Sequence, residues 1–428
     1  MSLVPCVTIR IKFQKHQDTM LKNFNKMCTG EMSPTIFKNE LAFRRVASME
    51  LFQSFDLEGS LCSFAIDSTG TYLLGGEQDG RVVLFDLAKM NKSVNCDGEI
   101  NLVKAYPNKP CPSPLDVKWF PTNPGMFSTL SCGILKFFDA NSDSDDPIDR
   151  VNTASQSKYG WPFSLYKHHP WNSASVIGMS GNEIRMYDLK VGAFVQTLTL
   201  PSNAEHFTHF TLSRRSPTVL AASVVSKSAS GDSYIYEYDG RNWSQVLKSY
   251  VAEGPHVAKH SRKRSDSKYA HSRSVSYMDY SSDSRYLFSH SIDGVVKKWC
   301  TDSGKCLSES RVPGKILYNP NLTSMAVTET SPTVAIVPRK NSMYLMDLDN
   351  NSLLRQLKGH MSQITDVKYD PVFNRIFSVA KEHMLLIWES KGSAHHDREA
   401  LSATPRILTT SKLFDSDSDD SEPPTDYT

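Results

Sequence analysis

Three short runs of apolar residues lie close together near the end of the chain, between residues 357 and 389. They span residues 364–369, 375–380 and 383–388, and polar turn residues separate them. Apolar runs of this length, bounded by turn residues, predict short β-strands that pair as an antiparallel sheet. A sheet this small cannot bury both of its faces alone, so it needs similar sheets stacked around an axis.

The same unit recurs along the chain. Its clearest copy begins with Gly359-His360 and ends with Trp388-Glu389. The equivalent closing pairs of the earlier copies are Phe85-Asp86, Phe138-Asp139, Tyr187-Asp188, Tyr238-Asp239, Trp299-Cys300 and Met346-Asp347. A Gly-His start and a Trp-Asp-like end, repeated at about 40 to 50 residues with insertions, predict the blades of a WD-repeat propeller.

The predicted fold is therefore all-β, a seven-bladed WD-repeat β-propeller with a short N-terminal helical segment and disordered tails. The predicted propeller covers residues 49–390. Its blades are predicted at residues 60–87, 114–140, 159–198, 206–240, 273–307, 316–357 and 358–389. The motif is degenerate, which leaves six or eight blades open as alternatives.

Two elements are predicted ahead of the first blade. Ser33 is a good N-cap and Pro34 suits the first helical position, so a helical segment is expected at residues 33–48. Residues 49–55 then have the pattern of a strand. The chain turns polar after Trp388, so the last blade lacks an outer strand, and pairing with residues 49–55 would supply it and remove an exposed edge. The alternative is that residues 49–55 continue the helix.

The charge, cysteines and hydropathy of the chain limit its expected partners and environment. The 428 residues carry a formal net charge of +2, which implies no bulk attraction to nucleic acid. The eight cysteines form no C-x-x-C pair, and we interpret them as reduced thiols of an intracellular protein. No apolar run is long enough to predict a membrane span, so no membrane partner is expected.

Three segments are predicted to lie outside the sheets. Residues 1–32 form a basic leader that we expect to be disordered, with a weak transit peptide as the alternative. Residues 391–428 form a disordered tail with an acidic end. Residues 251–273 form a polar insertion with a basic run, a candidate nuclear localisation signal or acidic-partner patch with Ser265 and Ser267 as candidate phosphorylation sites. The bland interpretation of that run is a solvated loop.

No catalytic constellation stands out. The chain has no G-x-S-x-G, no P-loop and no H-E-x-x-H motif. The adjacent pairs His168-His169 and His395-His396 would point to opposite faces of a strand, so they do not predict a shared metal ion. The acidic stretch at residues 141–149 lacks the glycine and closing glutamate of an EF-hand. We therefore expect a protein that is not an enzyme, with no metal and no cofactor.

The most informative motif runs from Asp232 to Arg241 and contains Tyr238-Asp239-x-Arg241. The third strand of its blade ends at this point, so Arg241 is expected on one rim of the propeller. A planar guanidinium at a rim suits bidentate pairing with a partner's carboxylate or carbonyl groups. The competing interpretation is an arginine that is simply solvated.

This motif resembles the box of the WD-repeat substrate receptors of cullin-four RING ubiquitin ligases. Further stretches resemble the receptor type that acts in transcription-coupled nucleotide excision repair. They are the first-blade run at residues 74–87, the second-blade run at 117–127, the segment 231–241 with the insertion after it, the last blade at 354–388 and the acidic tail. Two departures are that Tyr238 stands where the box has Trp, and that blades five and six diverge.

The resemblance implies a non-catalytic substrate receptor in the nucleus. It implies that Asp232, Tyr238, Asp239 and Arg241 help to bind the damaged-DNA-binding adaptor of these ligases. The helical segment would bind the same adaptor, with Ile36, Phe37 and Leu41 predicted as apolar anchors in a groove. The other implied partners are a Snf2-type repair ATPase and stalled RNA polymerase II, with no direct DNA binding required. The alternative is a WD-repeat scaffold or RNA-associated protein unrelated to ubiquitin ligases.

Overall fold

The computed structural model describes residues 22–90, 100–107, 116–172, 174–216, 219–227, 231–252, 269–314, 324–328 and 330–390. The leader up to residue 21, the basic run with Ser265 and Ser267, and the predicted tail at 391–428 lie outside the described residues.

The described strands form seven four-stranded antiparallel sheets. Blade one contains β2 (Leu61–Ile66), β3 (Tyr72–Glu77), β4 (Val82–Asp86) and β5 (Asn101–Tyr106), and blade two β6 (Asp116–Trp119), β7 (Met126–Ser131), β8 (Ile134–Asp139) and β9 (Asp149–Asn152). Blade three contains β10 (Leu165–His168), β11 (Ser175–Met179), β12 (Glu183–Asp188) and β13 (Ala193–Thr199), and blade four β14 (Ala204–Leu212), β15 (Val219–Ser226), β16 (Ser233–Asp239) and β17 (Asn242–Tyr250). Blade five contains β18 (Val275–Tyr280), β19 (Tyr286–Ser291), β20 (Val295–Cys300) and β21 (Cys306–Arg311), and blade six β22 (Ala326–Val327), β23 (Val334–Arg339), β24 (Ser342–Asp347) and β25 (Ser352–Lys358). Blade seven contains β26 (Ile364–Asp370), β27 (Arg375–Ala380), β28 (Met384–Ser390) and, as its outer strand, β1 (Met49–Asp56).

The hydrophobic core shows that these sheets form a ring. Each of the seven core clusters lies between two consecutive blades, so each sheet buries both of its faces against its neighbours. One cluster joins blade seven to blade one, with Phe377 and Leu385 packed among Phe64 and Leu73. The predicted seven-bladed β-propeller is confirmed.

Blade seven is completed from the other end of the chain. Strand β1 pairs antiparallel with β28, from Met49 opposite Ser390 to Asp56 opposite Met384. The closing pair therefore joins the first described strand to the last one. This hydrogen-bonded seam ties the two ends of the propeller together and leaves β28 without an open edge.

The outer strands correct several of the predicted blade boundaries. The outer strands of blades one, two and four lie beyond the predicted ends at residues 87, 140 and 240. Blade five likewise extends to Arg311 rather than to residue 307. These strands were missed because they are exposed on one face and lack a strong apolar pattern: in β5 the first three residues are exposed and only Tyr106 is buried.

A bulge in the outer strand is repeated around the ring. In six of the seven described blades the pairing between the third and outer strands shifts by a residue near the end of the third strand. Large apolar residues occupy the skipped positions, including the exposed Phe52, Val103, Val195, Leu247 and Leu307. Such bulges twist an outer strand and discourage pairing with other chains.

Helices precede the propeller. Helix α1 spans residues 22–28 and α2 spans Pro34–Ala47, whereas the short α3, Leu87–Met90, follows β4 within blade one. Ser33 caps α2, as predicted, because its hydroxyl accepts a hydrogen bond from the Ile36 amide at 3.3 Å. Helix α1 lies inside the segment predicted to be a disordered leader, which corrects that boundary. Only Ser48 separates α2 from β1, and Val46 and Met49 are both fully buried.

The described cysteines differ in their oxidation state. Cys28, Cys300 and Cys306 are free thiols. Cys132 is disulfide-bonded, which contradicts the prediction of a reduced thiol at this position. Across the described part of the chain, no helix is long and apolar enough to cross a membrane.

Candidate functional site

The two faces of the propeller are defined by the turns within each blade. Because successive strands are antiparallel neighbours, the turn from first to second strand and the turn from third to outer strand lie at the same end of a blade. Met49 pairs with Ser390 at the end of the third strand of blade seven, so helix α2 enters the propeller at this end. We call this end the α2 face, and the other end the opposite face.

An aspartate at the end of the third strand shapes the following turn in five blades. Its carboxylate accepts a hydrogen bond from the backbone amide two residues later, at 2.8–2.9 Å. These aspartates are Asp86, Asp139, Asp188, Asp239 and Asp347. The aspartate of the repeated motif is therefore first a turn-forming residue, whose side chain replaces a backbone acceptor.

In blade four, the residue two positions after this aspartate is an arginine, Arg241. The Arg241 guanidinium donates to Asp239 twice, from Nε to Oδ1 at 3.1 Å and from Nη2 to Oδ2 at 2.8 Å. The hydrogen bonds from Arg241 lower the pKa of Asp239, so the carboxylate stays ionised. The Arg241 side chain is 75% exposed, and these contacts use two of its five N–H donors. The arginine is held in place on the α2 face and still accessible.

The other predicted residues of the box lie elsewhere. Tyr238 is 2% exposed and packs in the core between blades three and four, where burial raises the pKa of its hydroxyl. Asp232 precedes β16, whereas Asp239 ends it, so seven residues of strand separate them, about 20 Å. Asp232 is therefore at the opposite face, and the structure does not bring it together with Arg241.

The predicted apolar anchors of the helical segment point in different directions. Ile36 is 58% exposed and lines a cleft of about 440 Å³ between α2 and Pro332 of blade six. Phe37 follows about 100° further round the helix and packs edge-on against Phe24 of α1, with ring centroids 6.2 Å apart. Leu41 is half-buried. Helices α1 and α2 thus form a hairpin on the α2 face that exposes both Phe24 and Ile36.

Two blades contain a hydrogen-bonded trio that sequence inspection identified only in part. In blade seven, His360 Nε2 contacts Ser378 Oγ at 2.8 Å, and Trp388 Nε1 donates to the same oxygen at 2.9 Å. In blade five, His271, Ser289 and Trp299 repeat this arrangement, with both contacts at 2.7 Å. The spacing is identical, 18 residues from His to Ser and 10 from Ser to Trp. His271 was missed because Ala270 replaces the glycine before it.

The two adjacent histidines of blade three do not form part of a metal site. No cluster of three or more His, Cys, Asp or Glu side chains suited to a metal occurs within the described ranges. His168 is buried against Ser128, with Nε2 at 2.7 Å from the hydroxyl. His169 instead accepts backbone hydrogen bonds from Trp171 and Asn172 through Nδ1. The two histidines serve separate structural contacts.

The seven antiparallel blades give the chain the fold of a seven-bladed WD-repeat β-propeller. In agreement, the family described as WD domain, G-beta repeat matches residues 263–300, which include the first three strands of blade five. A role as a WD-repeat scaffold is in keeping with this fold and this match.

Two curated relatives extend the comparison. The chain is 21% identical over 429 residues to WD repeat-containing protein ATCSA-1 of Arabidopsis thaliana, covering 86% of this chain and 95% of the relative. It is 26% identical over 125 residues to pre-mRNA-processing factor 17 of Saccharomyces cerevisiae, covering 28% of this chain and 26% of that protein. The first similarity is distant but spans nearly the whole relative, and the second is confined to about a quarter of each protein.

Proposed function

We propose that this protein is a non-catalytic substrate receptor of a cullin-four RING ubiquitin ligase, of the Cockayne syndrome group A type. In this role it acts in transcription-coupled nucleotide excision repair in the nucleus. Its partners are the damaged-DNA-binding adaptor on one side, and a Snf2-type repair ATPase with stalled RNA polymerase II on the other. The similarity to ATCSA-1, which covers 95% of that relative, supports this proposal. The name of this relative contains the letters CSA, the abbreviation of Cockayne syndrome group A.

The observation that carries the proposal is the composition of the α2 face. An exposed helical hairpin and an exposed, carboxylate-held arginine occupy the same face of one rigid propeller. Apolar residues on a short helix suit a groove in a partner. An arginine that is already oriented loses less conformational entropy on binding than a free one. Both features serve the docking of a protein, and neither serves a chemical step.

The central test measures binding of the purified chain to the purified adaptor. Arg241→Ala and Ile36→Ser are each expected to weaken binding about thirtyfold, because truncating a hot-spot residue costs about 2 kcal/mol or more. The matched control is Asn141→Ala, because Asn141 occupies the same turn position after Asp139 in blade two. Unchanged binding by the double variant Arg241→Ala with Phe37→Ala would show that this docking mode is wrong.

The repair role needs a separate test in cells. Affinity purification from nuclei, with and without ultraviolet irradiation, should recover the adaptor in both conditions. It should recover the Snf2-type ATPase and RNA polymerase II more strongly after irradiation. Recovery of the adaptor without either partner would limit the proposal to a ubiquitin-ligase receptor of another pathway.

A second function, an RNA-associated WD-repeat scaffold, is favoured by the partial similarity to pre-mRNA-processing factor 17. This function predicts cross-linking of the chain to RNA in nuclei and no recovery of the adaptor. The same purification separates the two functions, because one predicts the adaptor and the other predicts RNA with splicing proteins.

A further inference from the structure

A second exposed surface lies on the α2 face, across the ring from the helical hairpin. Trp171 and Val191 occupy the two turns of blade three on this face, and they are 60% and 65% exposed. The turns are joined, because the Leu189 amide donates to the Ala174 carbonyl at 2.7 Å. The backbone around Trp171 is fixed by His169, whose Nδ1 accepts the amides of Trp171 and Asn172. A large indole is thus displayed on a braced turn.

Arginines continue this surface into blades four and five. Arg214 and Arg215 lie in the turn between β14 and β15, and both backbone amides donate to Ser284 Oγ, at 2.8 and 3.1 Å. Ser284 belongs to the corresponding turn of blade five and precedes Arg285, whose side chain is 69% exposed. The hydroxyl of Ser284 therefore holds the backbone of Arg214 and Arg215 against the turn of blade five that contains Arg285. We call Trp171, Val191, Arg214, Arg215 and Arg285 the Trp171 patch.

The charge of the patch and of its neighbour Arg241 is positive but modest. Asp239 pairs with Arg241, and Asp283 pairs with Arg285 at 3.6 Å. Four arginines less two carboxylates leave a surplus of two positive charges. Asp279, which approaches Arg214 at 3.9 Å, is also contacted by Lys167 at 3.5 Å. Proteins that bind duplex DNA neutralise about 6 to 10 phosphates, so this surplus fits an acidic protein surface better than a nucleic acid.

We propose that the Trp171 patch is a second docking surface for the adaptor, and that the adaptor binds both sides of the α2 face. This inference rests on the proposed function. It adds that the adaptor surface opposite blades three to five is acidic and contains an apolar pocket for Trp171. Tryptophan and arginine are the residue types most often found at the energetic centre of protein interfaces. A turn that is already rigid binds without the entropy cost of ordering.

The test compares matched variants on the two faces of the propeller. Trp171→Ala is paired with Trp161→Ala, because Trp161 is similarly exposed, at 55%, in the connection between blades two and three on the opposite face. Arg215→Glu is paired with Lys227→Glu, an exposed lysine in the turn after β15 on the opposite face. Thermal unfolding of all four variants, compared with that of the wild type, checks that they remain folded.

Binding to the purified adaptor is then measured by calorimetry or interferometry at two salt concentrations. Trp171→Ala is expected to weaken binding about tenfold or more, whereas Trp161→Ala should have no effect. Arg215→Glu is expected to weaken binding and to reduce its salt dependence, whereas Lys227→Glu should do neither.

Each contrary outcome has its own meaning. If the wild type binds the adaptor and the Trp171 and Arg215 variants match their controls, the second docking surface is wrong while the proposed function stands. If the wild type does not bind the adaptor, both fall. If these variants lose binding to single-stranded or duplex RNA while adaptor binding is unchanged, the patch is a nucleic-acid surface and the inference is overturned.

Discussion

Blades two and five use different means to hold their strands together. In blade five, a serine hydroxyl on the second strand joins His271 to Trp299, and the blade contains a buried hydrogen-bonded trio. In blade two, Phe138 occupies the position of Trp299 and packs between other rings, 4.9 Å from Phe127 and 5.5 Å from Tyr106. Both blades have four strands and a buried apolar core, so the fold tolerates either solution.

The difference explains why the repeats are hard to recognise. Polar trios need three residue types at fixed spacings, because each donor must reach the same hydroxyl. Aromatic packing needs only volume, and many residue combinations satisfy it. Blades held together by aromatic packing therefore keep the fold of the repeat but not its sequence motif. The family match at residues 263–300 accordingly falls on blade five, which contains one of the two trios.

The largest expected loss of stability comes from replacing the aromatic residue near the end of the third strand with alanine, in blade five and in blade two. Trp299→Ala should lower the free energy of unfolding by about 3–5 kcal/mol or slightly more, because it removes a fully buried ring and one partner of Ser289. Phe138→Ala should cost less within that range, since it breaks no hydrogen bond. Urea unfolding measures both values. Equal costs would mean that the trio adds nothing to blade five.

A smaller effect is expected from removing the shared hydroxyl. Ser289→Ala leaves His271 Nε2 and Trp299 Nε1 buried without the hydroxyl they contact, which should cost about 2–3 kcal/mol in total. Ser128→Ala in blade two should cost less. The Tyr166 hydroxyl loses its 3.0 Å contact with Ser128 Oγ but still donates to the Ser128 carbonyl at 2.9 Å, so only His168 Nε2 is left without its partner. Equal losses on urea unfolding would show that the two serines are equivalent.

The contrast between the blades also shows which strands could be predicted from the sequence. Several third strands could be predicted, because they are almost completely buried and end at a turn-forming acid: β4 and β24 illustrate this pattern. The outer strands could not, because one of their faces is exposed. His271 could have been found only by applying the spacing of His360, Ser378 and Trp388 to blade five.

The candidate site was predictable in the same partial way. The position of Arg241 at the end of a strand placed it on a rim, and its contact with Asp239 follows from a two-residue turn. Asp232 was grouped with them because it is near in sequence, yet a strand carries it to the other face. The Trp171 patch could not be predicted, since it joins turns of three blades that are far apart in sequence.

Histidine burial gives a pH dependence that both types of blade should share. Burial lowers the pKa of His168 to about 3 and the pKa of His271 well below its usual value, so both are neutral when folded. Unfolded histidine takes up a proton near pH 6.5, so this stability is present above pH 6.5 and is lost as the pH falls below it. At pH 5 each residue should cost about 2 kcal/mol relative to pH 7. In unfolding titrations at the two pH values, His168→Gln and His271→Gln should each reduce the difference equally, and unequal reductions would contradict a common origin in burial.

The smallest expected effect distinguishes the His–Ser–Trp trios of blades five and seven by the acidic residue beside each histidine. In blade seven, Glu382 Oε1 lies 2.7 Å from His360 Nδ1, whereas in blade five Asp293 accepts hydrogen bonds from Ser272 and Val295. Burial lowers the pKa of His360, but the contact with Glu382 opposes that shift. Glu382→Gln removes the negative charge, so the His360 ring should titrate at a lower pH, while the titration of His271 should not change. Proton NMR titration of the histidine rings measures this, and an unchanged His360 midpoint would show that burial alone determines its pKa.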